Sequence, residues 1–121
     1  MVINRISIQI LQNEKGVYES LSNVLNLRPT DLDSEFEGKF GSWMFSKETK
    51  DDAPYFDFIN EFLDILEPNF SQLDELEINR NDISLWHLYE YENQCNMEFH
   101  PSDLKRLGEC VITLCISCWE K

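Results

Sequence analysis

The N-terminal segment alternates between apolar and polar residues. Its apolar side chains are expected to face one way and its polar side chains the other: Val2, Ile6, Ile8 and Ile10 against Arg5, Ser7 and Gln9. Because neighbouring side chains of a strand point to opposite faces of a sheet, a period of two predicts a strand with one buried face. We therefore expect a first β-strand over residues 2–11.

Two later segments repeat their apolar residues every three or four positions, as an amphipathic helix does. The first is expected to end near Asn26, and its apolar positions are Val17, Tyr18, Leu21, Val24 and Leu25. The second is longer, and its apolar positions are Phe56, Ile59, Phe62, Leu63, Leu66, Phe70, Leu73 and Leu76. Pro54 is expected to open this helix. Pro68 should kink it or start another, because proline cannot donate a helical hydrogen bond.

Three further segments have the composition or period of strands. Residues 41–46 predict a short second strand. Residues 83–91 predict a third, because they are rich in the aromatic and branched side chains that favour a pleated surface. Residues 94–99 alternate between apolar and polar side chains after a plausible tight turn at Glu92-Asn93. This pattern predicts a hairpin with a fourth strand.

The last part of the chain predicts a short helix followed by a strand. Pro101 suits the first position of a helix, where its missing N–H costs nothing. Gly108 is expected to end that helix. The segment from Val111 to Trp119 is almost entirely apolar, which predicts a central strand covered on both faces.

Taken in order, these elements mix strands and helices within one short chain. They predict an α+β fold, a two-layer α/β sandwich with a mixed sheet of about five strands and helices packed on one face. At 121 residues, the chain is long enough for one modest core, and we expect a single domain over residues 1–121.

Negative charge is concentrated in two parts of the chain. The sequence has 23 acidic residues against 10 Lys and Arg, a net charge of −13. Residues 31–37 contain four acids and no base, and residues 48–82 contain eleven acids against Lys50 and Arg80. This distribution disfavours binding to nucleic acid or an anionic membrane, because both require cations that neutralise phosphate. It favours a basic protein partner.

Hydropathy and cysteine usage add expectations about location. No apolar run reaches the roughly 18 residues that cross a bilayer, and the alternating N-terminus lacks the pattern of a signal peptide. The cysteines are Cys95, Cys110, Cys115 and Cys118. They do not suggest a disulfide framework, so we expect them to be reduced and buried and the protein to be cytoplasmic.

The residue types that perform catalysis or bind metals form no recognisable constellation. His87 lies inside a strand and is expected to be a hydrogen-bonded sheet residue, and His100 stands at the entry to a helix. Cys115-x-x-Cys118 has the spacing of a metal or redox pair, but residues three apart on a strand point to opposite faces. We expect no enzymatic activity, no cofactor and no metal.

The acidic segments are the candidate site instead. A docking face for a basic partner would combine carboxylates with aromatic anchors that flank a charged loop expected over residues 47–53. Its candidate residues are Asp31, Asp33, Glu35, Glu37, Trp43, Asp51, Asp52 and Tyr55. Exposed carboxylates of the long helix would extend the face. The alternative, a solvated surface that only keeps the protein soluble, stays open.

Several segments together resemble a known family. The motifs are Leu27-x-Pro29-Thr30, Ser42-Trp-x-Phe-Ser46, the Leu-rich acidic helix, Ile83-Ser-Leu-Trp, Cys95-Asn-Met-Glu-Phe99, Leu107-Gly and Ile116-Ser-Cys118. Over most of the chain they resemble the bacterial domain-of-unknown-function family number 4279. The resemblance implies a small cytoplasmic α/β protein with no assigned activity. By size and charge, such proteins also resemble the immunity proteins of toxin systems, which bind and block a toxin.

The sequence therefore predicts a non-enzymatic protein-binding domain, most concretely an immunity protein that occludes a basic, nuclease-type bacterial toxin. We expect a monomer or a weak homodimer. Two alternatives stay open. One is a homo-oligomeric structural or regulatory domain that associates through an exposed sheet edge or face. The other is a small-molecule binder with a pocket near Trp43, Trp86 and His87.

Overall fold

The computed structural model describes residues 1–10, 15–30 and 41–121. The acidic segment with Asp31, Asp33, Glu35 and Glu37 lies outside the described residues. The helices and strands are, in order, β1 (Val2–Gln9), α1 (Lys15–Leu25), β2 (Ser42–Thr49), α2 (Phe58–Leu66), α3 (Phe70–Glu75), β3 (Ile83–Tyr91), α4 (Pro101–Cys110) and β4 (Thr113–Glu120). Single 3-10 turns, Glu67–Asn69 and Arg80–Asp82, connect α2 to α3 and precede β3.

The strands form one mixed sheet in the order β2-β1-β3-β4. β1 pairs antiparallel with both β2 and β3, and β3 pairs parallel with β4. The parallel pair is possible because α4 carries the chain back to the start of β3. The predicted α+β class and the mixed sheet are confirmed, and the sheet in the described part of the chain has four strands.

The predicted fourth strand, residues 94–99, is irregular. Its burial still alternates, since Cys95, Met97 and Phe99 are half-buried and the residues between them are exposed. The period of two therefore predicts correctly which side chains point inward. A strand also needs a neighbour with free backbone groups, however, and β3 is already paired with β1 on one side and β4 on the other. The hairpin prediction is wrong for that reason.

β4 lies at an edge of the sheet, so the prediction of a covered central strand is wrong. Ile116 is 45% exposed and Trp119 is 37% exposed. An apolar run predicts a strand but does not reveal its neighbours. Those neighbours depend on the topology, and here β1 takes the central position beside β3 instead of β4.

Two helix ends also differ from the sequence prediction. α2 begins at Phe58 after an Asp57 cap, four residues beyond Pro54. α4 starts at Pro101 as predicted, but it continues past Gly108 to Cys110. Val111 ends it in the left-handed conformation at φ 57°, where a branched side chain is uncommon. Pro68 behaves as predicted, because the long helix breaks into a 3-10 turn there and resumes as α3.

The helices and one face of the sheet share a hydrophobic core. On that face, Ile6 pairs with Leu85 and Ile8 with Ile83, and all four side chains are fully buried. The helices contribute the buried residues Tyr18, Leu21, Leu25, Phe58, Ile59, Phe62, Leu63, Leu66, Leu73 and Leu107. Full burial of a large aliphatic or aromatic side chain stabilises a fold by about 1.5–3 kcal/mol. These contacts therefore fix the helices over this end of the sheet.

Candidate functional site

The structure separates the predicted docking residues. Trp43 is fully buried, and its indole N–H donates to Ser22 Oγ of α1 at 3.0 Å. A buried indole cannot contact a partner's surface, so Trp43 is a core residue and its prediction as an anchor is wrong. Tyr55 is 70% exposed, and Asp51 and Asp52 are exposed on the loop before it.

Asp51 already has a cationic neighbour. The N-terminal ammonium of Met1 donates a short hydrogen bond to its carboxylate. This hydrogen bond, with the charge of the ammonium, holds the pKa of Asp51 below its usual range. Asp51 therefore presents less free negative charge to a partner than its sequence position indicates, whereas Asp52 has no ion pair within the described residues.

Six exposed carboxylates lie on α2, on α3 and in the turns that follow each helix. We call them the helical acidic face: Glu61, Asp64, Glu67, Asp74, Glu75 and Glu77. The opposite side of both helices is buried in the core. The face is therefore held on rigid elements, which is what a docking surface for a folded partner requires.

Arginines of the same chain neutralise half of this face. Arg106 of α4 donates to Asp64 Oδ1, Glu67 Oε1 and Asn60 Oδ1, each at 2.8 Å. Its hydrogen bond to Glu67 is the main reason that the pKa of this carboxyl lies below its usual range. Arg80 pairs with Asp74 at 2.8 and 3.3 Å.

The carboxylates of the helical acidic face that have no ion pair within the described residues are Glu61, Glu75 and Glu77. Arg106 lies outside the acidic segment in the sequence, so the charge pattern alone overstates the free charge of the fold. We expect a cationic partner to be drawn mainly to these three side chains.

The structure also forms a cavity of about 600 Å³ that the charge pattern does not predict. Its floor is the far end of the inner sheet face, and its walls are the loops over residues 49–56 and 92–99. We call it the sheet-end cavity. The lining residues that matter most for its chemistry are Asn4, Tyr55, His87, Tyr89, Tyr91 and Phe99.

Asn4 and His87 form the polar floor of the sheet-end cavity. They are partners in the β1–β3 register, and Asn4 Oδ1 lies 2.7 Å from His87 Nδ1. Because an amide oxygen can only accept, the ring must donate through Nδ1 and keep the lone pair on Nε2. Burial lowers the pKa of His87, so the ring is neutral at pH 7. Asn4 is 1% exposed and is the one buried polar residue in the described part of the chain.

Aromatic side chains hold the His87 ring in place. It stacks on Phe58 at 5.1 Å between ring centres and on Tyr89 at 6.1 Å, and Phe99 meets it edge-on at 6.4 Å. Tyr91 continues the row beyond Tyr89 at 6.4 Å. The prediction of a hydrogen-bonded sheet histidine is confirmed, and the surrounding rings add a rigid aromatic lining.

The charges around the sheet-end cavity nearly balance. Lys121 Nζ lies 3.8 Å from Glu92 Oε1, and Glu90 accepts a hydrogen bond from the Trp119 indole at 3.2 Å. The remaining charged lining groups are Lys50, Asp51, Glu98 and the N-terminal ammonium of Met1, which pairs with Asp51. The cavity therefore differs from the helical acidic face, because it is aromatic and close to neutral.

Of the three residues predicted to lie near a pocket, Trp43, Trp86 and His87, only His87 lines the sheet-end cavity. Trp43 lies in the core, and Trp86 is on the other face of the sheet, since it neighbours His87 on the same strand. The residue that the sequence reading misses is Asn4. The sequence does contain a signal for Asn4. It stands between Val2 and Ile6, at a position of β1 where the alternation predicts an apolar side chain.

The described cysteines are free, and none is fully buried, so the prediction of buried cysteines is wrong. Cys110 donates to Glu67 Oε1 at 3.2 Å, and partial burial together with that carboxylate raises the pKa of its thiol to about 11. A thiol with a raised pKa is a weak nucleophile at pH 7. Within residues 1–10, 15–30 and 41–121, no three His, Cys, Asp or Glu side chains gather as metal ligands.

The chain matches no family model, no curated protein and no solved structure. The resemblance to the family of unknown function therefore stays a prediction. Among the helices of the described residues, none has the length and apolar composition needed to cross a membrane.

Proposed function

We propose that the chain is a non-enzymatic protein-binding domain that engages a basic partner through the helical acidic face. The most concrete form of this proposal is an immunity protein that occludes a nuclease-type toxin. The supporting observation is that Glu61, Glu75 and Glu77 are exposed, carry no ion pair within the described residues and lie on or beside helices anchored in the core. Asp52 and Tyr55 remain candidates for the edge of the interface.

Electrostatics accounts for how such a face would act. Unpaired carboxylates attract a basic protein over a distance of about 8 Å at physiological salt and raise the rate of encounter. Carboxylates that then meet Arg or Lys side chains of a nuclease would occupy the groups with which it holds phosphate. Inhibition would follow from occlusion of the nucleic-acid site and needs no chemistry on the inhibitor.

The same proposal includes the finer features expected from the sequence. They are a two-layer arrangement with helices on one sheet face, a cytoplasmic location and a monomeric or weakly dimeric state. The first is supported by the stacking of Phe58 of α2 on His87 and by the hydrogen bond from Trp43 to α1, since both join helices to the inner face.

The test first asks whether the neighbouring open reading frame encodes a secreted protein with a basic C-terminal domain, and then measures association with that domain across a range of salt concentrations. A neighbour without such a domain would count against the immunity form of the proposal. The variant Glu61→Gln/Glu75→Gln/Glu77→Gln should associate about tenfold more slowly than the natural chain at low salt. Its matched control, Glu48→Gln/Glu109→Gln/Glu120→Gln, removes the same charge from exposed positions elsewhere and should change the rate much less. Equal effects of the two variants, or a rate that does not depend on salt, would contradict the proposal.

One observation favours a second candidate function, self-association through β4. This strand has a free edge and exposes Ile116 and Trp119. An exposed strand edge is a template for pairing with another chain. Sedimentation of the purified protein separates the two functions, because a clean monomer at high concentration would exclude self-association and leave the docking proposal unaffected.

A further inference from the structure

The sheet-end cavity has the properties of a small-molecule site and shares no residue with the helical acidic face. Its volume of about 600 Å³ falls within the range typical of such sites. It lies beyond the end of the helical cover, between two irregular loops. The floor is rigid because both of its polar residues belong to central strands of the sheet.

The buried amide of Asn4 supplies an unused hydrogen-bond donor. Within the described residues, its side chain makes one hydrogen bond, through Oδ1 to His87. The two N–H bonds on Nδ2 therefore have no partner in the part of the chain that the structure describes, although the residue is 1% exposed. Buried polar groups are nearly always paired, and a buried group without a partner in the protein points to a water or a ligand.

The ring of His87 supplies an unused acceptor. Its Nδ1 donates to Asn4, which leaves the lone pair on Nε2, and that atom has no partner among the described residues. The floor of the cavity thus offers one donor and one acceptor on two adjacent side chains. A ligand that satisfies both must present a carbonyl oxygen next to an N–H group.

The lining determines the rest of the ligand. Tyr55, Phe56, Tyr89, Tyr91 and Phe99 line the cavity, and aromatic side chains favour a flat, largely apolar molecule. The lining includes four carboxylates against two lysines and the N-terminal ammonium of Met1. This small excess of negative charge disfavours a phosphate, and the pairing of Lys121 with Glu92 and of the ammonium with Asp51 reduces the attraction for a free cation. A neutral molecule fits best.

We propose that the sheet-end cavity binds a neutral, planar heterocycle through its lactam edge, with Asn4 Nδ2 donating to the ligand carbonyl and the ligand N–H donating to His87 Nε2. Nucleosides have this chemistry, since uridine and inosine each place a ring N–H beside a carbonyl. The proposal does not depend on the docking function and extends the chain to a second ligand.

The test titrates the full chain with uridine and inosine and follows the side-chain resonances of Asn4 and His87 by NMR. At least one nucleoside should give saturable shifts at both residues. Its N-methylated form, 3-methyluridine or 1-methylinosine, should bind at least tenfold more weakly, because methylation removes the donor and leaves the ring. Uridine 5′-monophosphate should bind more weakly than uridine, because its phosphate meets the carboxylates at the mouth.

Variants separate the site from a general effect on the fold. His87→Phe keeps an aromatic ring but removes both ring nitrogens, and it should abolish nucleoside binding. Trp86→Phe, at the neighbouring position on the opposite face, should leave binding unchanged. The triple variant of the helical acidic face should also bind nucleosides normally, so failure of the docking proposal and failure of this one are distinguishable.

Three results would overturn the proposal. The first is the absence of saturable shifts with both nucleosides. The second is equal affinity for the methylated and unmethylated forms. The third is saturation of the same residues by N-acetylarginine amide but not by the nucleosides, which would identify the cavity as a receptor for a basic side chain.

Discussion

The two ends of the inner sheet face have the same backbone pairing and opposite chemistry. Across β1 and β3, the pairs Ile8–Ile83 and Ile6–Leu85 are apolar and fully buried under the helices. The next pair on the same face of the sheet is Asn4–His87. Loops around an open cavity, instead of helices, lie over this pair. One change from apolar to polar side chains therefore marks where the packed core ends and the sheet-end cavity begins.

Phe58 lies at the boundary between these two ends. It is the first residue of α2, it is fully buried, and its ring stacks on His87 at 5.1 Å. On the N-terminal side of Phe58, α2 does not continue, because Asp57 caps the helix and the loop before it leads back to β2. The place where α2 starts thus sets the position of the cavity mouth.

The largest expected effect is at the packed end. Leu85→Ala should reduce the free energy of unfolding by about 2–5 kcal/mol, because it removes buried methyl groups and leaves a void that the sheet cannot close. Urea unfolding measures this loss. Ile116→Ala on β4, 45% exposed, is the matched control and should cost less than about 1 kcal/mol. Similar losses for both would mean that the packed end is not the main source of stability.

An intermediate effect is expected at the open end, where Asn4 and His87 depend on each other. Asn4→Leu leaves the ring N–H without an acceptor and should cost about 1–3 kcal/mol. His87→Phe leaves the Asn4 oxygen without a donor. The double variant should cost less than the sum of the single ones, with a coupling of about 1 kcal/mol, measured by a double-mutant cycle in urea. Additive losses would show that the two side chains do not interact in solution.

The smallest expected effect is a pH dependence of the free energy of unfolding, which arises from His87 at the open end. Burial lowers the pKa of His87 below its ordinary value of 6.5. As the pH falls through 6.5, the unfolded chain takes up this proton before the folded chain does, so the free energy of unfolding decreases until the folded pKa is passed. Well above pH 6.5, where the ring is deprotonated in both the folded and the unfolded chain, the group contributes no pH dependence. The natural chain should lose stability between pH 7.5 and 5.5 relative to His87→Phe.

The comparison that checks this effect is thermal unfolding of both proteins at the two pH values. If His87→Phe and the natural chain show the same pH dependence, the ring is not held neutral by burial and its assignment as an acceptor in the sheet-end cavity fails.

The spacing of apolar residues along the sequence predicts most of the local structure. The alternation of β1, the apolar stripe of α1 and the break at Pro68 all appear in the fold, because each depends on contacts within a few residues. The strand expected over residues 94–99 fails for a non-local reason, since both sides of β3 are taken. The same limit applies to β4, whose edge position depends on where β1 inserts.

The candidate site is less predictable than the fold. The acidic segment is visible in the sequence, but its pairing with Arg106 arises when α4 packs beside α2. Trp43 resembles an exposed anchor beside a charged loop, yet it faces the core because it shares the inward register of Ile8. Asn4 is the exception, because a single polar residue at an apolar position in a strand is a local signal.

The strand order has a consequence for how the chain assembles. β1 comes before β2 and β3 in the chain, but in the sheet it lies between them. Neither neighbouring strand is therefore available for pairing when β1 leaves the ribosome. β3, α4 and β4 are consecutive and can begin to associate without the rest, whereas the pairing of β1 with β3 must close a loop of most of the chain. β2 and the β3–β4 pair therefore become one sheet only when β1 pairs with both β2 and β3.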